Sequence, residues 1–298
     1  MTNWSFDDIP DQQGRTAIVT GANTGIGFET ARMLAQKGAD VVLACRSADK
    51  GNAAVERLRA LKPAGTVSFA PLDLSDLESV AAFATQFATT HARLDLLVNN
   101  AGIMRTPMGR TKQGFELQMG TNHLGHFALT QRLLPLLDAT KGARVVVVSS
   151  IMHKFGKLHL EDLDWKRRSY DTGAAYSESK LANVMFALEL QRRLAARGSG
   201  TTVVAAHPGV TNTELTRSMS SFVARLNRLI TSDVTVGAMP SVRAATDPAV
   251  TGGTYWGPAN LFETRGPAVQ AKISSRAKDE VMQKSLFDES ERLTGLTF

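Results

Sequence analysis

Apolar runs of four to six residues recur along the chain, each bounded by turn residues and followed by a longer stretch with helical spacing. TAIVT (16–20) leads to a helix from about Gly25, DVVLAC (40–45) to a helical segment around 49–62, and VSFAPL (67–72) to a helix near 76–90. LDLLVN (94–99) is followed, after a loop, by a helical stretch near 113–137. ARVVVVSS (143–150) precedes a long loop and a helix that opens at Tyr176, and TTVVAAHP (201–208) follows that helix. The runs are Val-rich and continuous rather than alternating, which is how strands covered on both faces read. Regular alternation of strand and helix indicates right-handed βαβ units. The expectation is an α/β chain with a doubly wound parallel sheet of Rossmann type. No Pro/Ser-rich linker, composition break or short repeat divides residues 1–298, so one domain is expected. Segment 214–250 reads as helical and irregular by turns, and about 267–287 as a closing helix.

Composition narrows the class. Of 298 residues 43% are hydrophobic, enough for one large core. The single cysteine, Cys45, excludes an internal disulfide and fits a reducing compartment. The N-terminal MTNWSFDDIPDQQGR lacks a basic region followed by an apolar run, and no stretch approaches the ~20 apolar residues of a membrane span. A soluble, cytoplasmic protein is expected. The net charge of +6 comes from dispersed positives. The densest group, WKRRSY (165–170), has no nucleic-acid motif around it and reads as a solvated face. Nucleic acid is therefore not an expected partner. His123, His126, His153, His159 and His207 show no paired spacing with Cys or carboxylates that calls for a metal; they read as structural or pocket-lining.

The first chemistry-bearing stretch is TGANTGIG after the first strand, with glycines at Gly21, Gly25 and Gly27. The spacing is G-x-x-x-G-x-G. Glycine lets the backbone turn tightly and approach a pyrophosphate, and the helix N-terminus then offers free N–H groups to the anion. The end of the second strand selects the dinucleotide. An acid about 20 residues past the glycines binds the ribose hydroxyls of NAD. Here Arg46 stands 19 residues after Gly27, with Ser47 and Lys50 beyond it and no acid at the site. A guanidinium pairs with a 2′-phosphate that a carboxylate would repel. The expected cofactor is NADP. Asp73 ends the third strand, either to accept a hydrogen bond from the adenine amino group or as a helix N-terminal residue. In NNAG (99–102) the asparagines can tie strand ends together, while Ala101 and Gly102 admit the adenosine ribose.

TGANTGIG, DLS, NNAG, NHLG, VSS, YSESK and HPG follow one another in order from about residue 14 to 262. This ordered set resembles the short-chain dehydrogenase/reductase family, in particular its retinol-dehydrogenase-like, NADP-preferring branch. The resemblance implies hydride transfer between nicotinamide and a carbonyl or alcohol, with catalytic residues Ser150, Tyr176, Lys180 and Asn122. The implied cofactor contacts are Gly21, Asn23, Gly25, Ile26, Gly27, Arg46, Asp73, Leu74, Asn100, Ala101, Tyr176, Lys180 and Thr213. Of three tyrosines only Tyr176 has a lysine four residues on, at Lys180, which a helix brings to the same face. A free phenol titrates near 10 and is a poor base at neutral pH; lowering it by about 3 units takes roughly 4 kcal/mol. The ammonium, helped by an oxidised nicotinamide, is expected to supply that.

Ser150 is preferred to Ser149 as the substrate-orienting hydroxyl because it falls six residues before Gly156, matching the family's S-x5-G pattern. Asn122 resembles the asparagine whose backbone holds a water linked to Lys180, and its place inside a helical pattern marks a kink or water site. Pro208 and Gly209 bend the chain over the nicotinamide side, and Thr211 stands where the family often has Val. Residues 151–175 and 211–240 are expected to form the substrate walls. Leu215, Met219, Phe222, Leu226 and Leu229 have near-helical spacing, as a lid over an apolar substrate or as a core helix. The expected partner is an apolar aldehyde, ketone or alcohol; relatives pair through helices near 113–137 and 174–197 as homodimers or homotetramers. Rival readings are a sugar-nucleotide epimerase-like enzyme, a light-dependent protochlorophyllide reductase, whose thiol Cys45 stands too early to supply, and a non-catalytic NADP-binding redox sensor.

Overall fold

The computed structural model describes residues 4–210 and 233–298. The chain runs β1 (Thr16–Thr20), α1 (Gly25–Gln36), β2 (Asp40–Cys45), α2 (Ala48–Arg59), β3 (Val67–Pro71), α3 (Leu77–Thr90) and β4 (Leu96–Asn99). It continues with α4 (Leu117–Met119), a π-turn (Gly120–Leu124), α5 (Gly125–Ala139), β5 (Arg144–Val148), two short 3-10 turns (Ile151–Phe155, Leu160–Asp162), α6 (Thr172–Ala196) and β6 (Thr202–Ala206). After the undescribed segment come α7 (Val234–Thr246), β7 (Tyr255–Asn260), β8 (Arg265–Gln270) and α8 (Glu280–Thr294).

The strand order is β3-β2-β1-β4-β5-β6-β7-β8. The order reverses between β1 and β4, so the strand ends Thr20 and Asn99 open a crevice at the carboxyl edge. The continuous apolar runs have their cause in two cores, one on each face. Ile18, Val145 and Val147 enter one; Ala17, Val19, Val146 and Val148 enter the other. At about 25 cal/mol per Å² of apolar area, burying both faces is the main stabilising contribution.

The expected doubly wound Rossmann-type sheet is present and parallel except at its last strand: β8 runs antiparallel to β7, with a register irregularity between Pro258 and Asn260. Both strands carry Gly-Pro punctuation (YWGPAN, RGPAVQ) that reads as loop. Two other expectations are corrected. The closing helix is not at 267–287, since β8 occupies 265–270 and the helix begins at Glu280. Its start is set by Asp279, whose carboxylate accepts from the Met282 N–H, and its end by Gly295 in the left-handed region. Finally, WKRRSY is only partly a solvated face. Lys166 and Arg167 are exposed, but Arg168 stacks on Trp165 at 3.9 Å and pairs with Asp162 and the buried Glu178.

α6 is buried all round from Ala175 to Ala187 rather than along one stripe. Its polar side chains are accordingly partnered. Ser177 donates to Gly173 O, Asn183 to Val148 O, and the Arg168 guanidinium to Glu178. Helix α8 covers part of the α5–α6 face: Phe287 packs on Phe127 and Phe186, and Arg193 pairs with Asp288. No helix among the described residues is long and apolar enough to cross a membrane.

Candidate active site

The Gly-rich turn joins β1 to α1. Gly21 has φ +65°, and a Cβ there would meet Ala101 at 3.0 Å. A Cβ on Gly27 would meet the Asn100 amide nitrogen at 2.5 Å and the Gly21 carbonyl at 2.6 Å. Thr24, the N-cap of α1, makes no side-chain cap hydrogen bond, so no side chain occupies the first N–H groups of the helix. In front of them lies a cavity of about 470 Å³ whose wall includes Gly21, Asn23, Gly25, Ile26, Gly27, Arg46, Asp73, Leu74, Asn100, Ala101, Tyr176 and Lys180. Every expected cofactor residue among the described ones thus borders one space; Thr213 lies outside the described residues. The uncapped helix start, the close glycine backbone and a cavity of this shape fit a dinucleotide.

Around that cavity each group has a defined state. Arg46 follows Cys45 at the end of β2, is exposed, and makes no ion pair among the described residues, whereas the Ser47 hydroxyl is spent capping α2. Asp73 folds back on Ser75, accepting from its N–H (2.9 Å) and hydroxyl (2.6 Å); the helix-capping place is taken by Asp76, not Asp73. Of the two asparagines only Asn100 ties strand ends, donating to the Thr20 carbonyl (2.8 Å); Asn99 donates to Thr130 of α5 (2.8 Å). Cys45 also borders the cavity, but burial pushes its thiol up to about 11.

The reacting groups converge from three elements. Tyr176 and Lys180 lie one turn apart near the start of α6, which Asp171 caps at 2.6 Å. The Lys180 ammonium sits 5.8 Å from the Tyr176 ring centroid and donates to the Val148 carbonyl at 3.2 Å. Ser150, just past β5, stands close enough to the Tyr176 phenol to lower its pKa. Ser149 is committed elsewhere, donating to the Lys180 carbonyl at 2.7 Å. A Cβ on Gly102 would lie 3.2 Å from the Lys180 amine and 3.3 Å from the Asn122 carboxamide oxygen.

The expected electrostatics of the pair need correction. Burial raises the Tyr176 phenol above its ordinary value, and only the Ser150 hydrogen bond and the Arg105 charge pull it down. Lys180 is itself lowered to about 8 by burial. The desolvation of a phenol 9% exposed outweighs both Ser150 and Arg105. Arg105 was not visible as a site residue in the sequence; it acts here through space, from an exposed loop with φ +52°.

Asn122 lies in the π-turn, where an interrupted helix is expected to bend. Its carboxamide is fully used: the oxygen accepts from Ile103 N (2.8 Å), and the nitrogen donates to Ile103 O (2.9 Å) and Ser179 (3.0 Å). Its carbonyl accepts from His126 Nδ1 at 3.0 Å, whose Nε2 then accepts from the Thr20 hydroxyl at 2.9 Å. His126 thereby ties the π-turn to the end of β1, a link that no sequence spacing signals. No group of three or more His, Cys, Asp or Glu that could hold a metal ion occurs among the described residues.

Four histidines are buried. Desolvation holds His123 at about 4, His126 at about 3 and His153 at about 4, and lowers His207. Because the folded values lie below the unfolded value near 6.5, the unfolded chain binds more protons in that window. Stability is therefore full above pH 6.5 and is lost as pH falls towards 4. Three protons at about 1.4 kcal/mol per pH unit each give a loss of roughly 3 kcal/mol between pH 6 and 5. Urea midpoints at the two pH values check this; a flat midpoint contradicts it.

Residues 15–224 match the short chain dehydrogenase family, and the chain belongs to that family. It is thus an oxidoreductase of CH–OH and C=O groups. Human retinol dehydrogenase 13 is 41% identical, over 95% of this chain and 85% of the relative. Mouse polyprenol dehydrogenase is 42% identical over 96% and 86%. Among solved structures, an uncharacterised protein from Mycobacterium paratuberculosis superposes with TM-score 0.85 at 43% identity, covering 100% of this chain and 99% of that one. The Pseudomonas aeruginosa RhlG/NADP active-site complex superposes at 0.68 with 26% identity, over 86% and 96%.

Proposed function

We propose that the protein transfers hydride between NADP(H) and the carbonyl or alcohol carbon of an apolar small molecule, in a reducing, cytoplasmic setting. The observation that carries this reading is Tyr176, with Ser150 near its phenol and the Lys180 ammonium beside its ring, in the wall of a cavity that the Gly-rich turn also lines. Relatives named for retinol and for polyprenol support an apolar alcohol or its carbonyl as the substrate class. The substrate walls are assigned to 151–175 and 211–240 of a single domain; of the second stretch, 211–232, with Thr213, Leu215, Met219, Phe222, Leu226 and Leu229, lies outside the described residues.

Gly21, Asn23, Gly25, Ile26 and Gly27 would hold the pyrophosphate, Arg46 the 2′-phosphate, Asp73 and Leu74 the adenine, and Asn100 and Ala101 the adenosine ribose. Thr213 is assigned to the carboxamide, and Tyr176 and Lys180 to the nicotinamide ribose. When bound, the nicotinamide supplies or accepts the hydride. Ser150 donates a hydrogen bond to the substrate oxygen and turns it towards Tyr176. In the direction of reduction Tyr176 gives its proton to that oxygen, and in oxidation it takes one back. Lys180 stabilises the phenolate left behind, and Asn122 fixes the loop at Ile103 against the reacting side.

The test is the loss of NADPH absorbance across a panel of apolar aldehydes and ketones, with NADH in parallel; NADH binding at least as tightly as NADPH removes the cofactor assignment. Arg46→Asp is expected to weaken NADPH binding about 10- to 100-fold, the size of a lost charge-assisted hydrogen bond. NADH binding should change little, and titration of both cofactors reads the switch.

A further inference from the structure

The β7–β8 hairpin touches both loops that frame the reacting side. We propose that Glu263, at its tip, is a positioning residue: its carboxylate fixes the Ser150 turn against the chain leaving β6 and so sets where Ser150 stands relative to Tyr176. The inference rests on the roles given to Ser150 and Tyr176 above.

On one side Lys154 donates to Glu263 Oε2 at 2.7 Å. Lys154 belongs to the 3-10 turn Ile151–Phe155 that Ser150 caps, the Ser150 hydroxyl accepting from Met152 N at 3.2 Å. On the other side Glu263 Oε2 lies 3.4 Å from His207 Nε2. His207 Nδ1 accepts from Gly209 N at 3.3 Å, so the ring proton sits on Nε2, which makes no hydrogen bond and is within electrostatic reach of the carboxylate. Between the two loops stands Tyr255 of β7. Its ring stacks on His207 (5.0 Å, 30°) and meets His153 edge-on (5.0 Å, 81°), and its hydroxyl donates to the Ser150 carbonyl at 3.3 Å. Val210 N donates to Thr264 O at 2.9 Å, fastening the loop after β6 to the same hairpin.

The tip itself is held under strain. Leu261, Phe262 and Glu263 have φ of 47°, 57° and 66°, three successive left-handed residues without a glycine. Such backbone persists only where the surroundings determine it. Burial works to raise the Glu263 carboxyl, yet the His207 and Lys154 contacts outweigh it and hold it at about 2, so the clamp is charged throughout the neutral range. A hydroxyl that must meet a substrate oxygen and a phenol together is sensitive to small displacements, and misplacement by about 1 Å costs about 100-fold in rate.

Glu263→Gln keeps the shape and removes the charge. With NADPH and an apolar aldehyde turned over by the wild type, it should lower kcat about 10-fold or more while the NADPH Kd stays within about twofold. Lys154→Met should reproduce most of that loss, Lys154→Arg should retain most of the turnover, and the double variant with Glu263→Gln should be no worse than Glu263→Gln alone. Tyr176→Phe is measured beside them. Wild-type turnover by Tyr176→Phe overturns the reading of the site, and the inference with it. An inactive Tyr176→Phe together with wild-type kcat for Glu263→Gln overturns the inference alone. NADPH affinity falling in step with kcat also overturns it, since that reports general loosening. Should Glu263→Gln fail to fold, equal turnover of Lys154→Met and Lys154→Arg overturns it.

Discussion

Tyr176→Phe is expected to lower turnover about 10²- to 10⁴-fold, the range of a lost general acid or base. The substitution removes one oxygen and keeps the ring that forms part of the cavity wall. Packing and NADPH binding should therefore change little, and a fluorescence titration separates the two effects. Because burial holds the phenol above its ordinary value, it carries its proton at neutral pH. That is the form needed to reduce a carbonyl. Oxidation of an alcohol needs the proton gone, so its rate should climb with pH in the wild type, and the residual rate of the Phe variant should lack that climb. Turnover of the variant within a few-fold of wild type contradicts the role given to Tyr176.

Much of this site was legible because its chemistry is local in sequence. A strand, a Gly-rich turn and a helix are contiguous over residues 16–36, and Tyr176 and Lys180 are one helical turn apart. Ser150 is preferred to Ser149 on spacing alone; in the fold the Ser149 hydroxyl donates to the Lys180 carbonyl. What sequence hid depends on contacts between distant segments. Glu263 meets Lys154 from 109 residues away, and His126 meets Thr20 from 106. The hairpin carrying Glu263 was hidden a second time, because Gly257, Pro258, Gly266 and Pro267 punctuate its strands like loops. The direction of the Tyr176 shift was misjudged for a related reason. Helical spacing places a cation beside a phenol, but how much water remains around the phenol is a property of the folded chain.

Lys180→Met is expected to abolish turnover, by about 100-fold or more, and at the same time to make the protein more stable. Lys180 is 4% exposed, and burial alone lowers its ammonium to about 8. Relative to the ordinary lysine value near 10.4, keeping that charge costs on the order of 3 kcal/mol at neutral pH. Methionine has similar reach and no charge to desolvate. The Val148 carbonyl, which accepts from Lys180, keeps the Asn183 amide at 3.2 Å and is not orphaned. The sign of the pH dependence follows from the folded value lying below the unfolded one. The unfolded chain binds more protons between about pH 8 and 10.4, so the wild type recovers stability as pH rises through that window and the variant does not. The gap between their urea midpoints should be widest below pH 8 and narrow towards pH 10. A midpoint that falls on substitution would mean the ammonium is supported by its surroundings rather than kept for the reaction; one that rises while turnover vanishes identifies a charge held in the core at a cost to stability because the chemistry beside Tyr176 requires it.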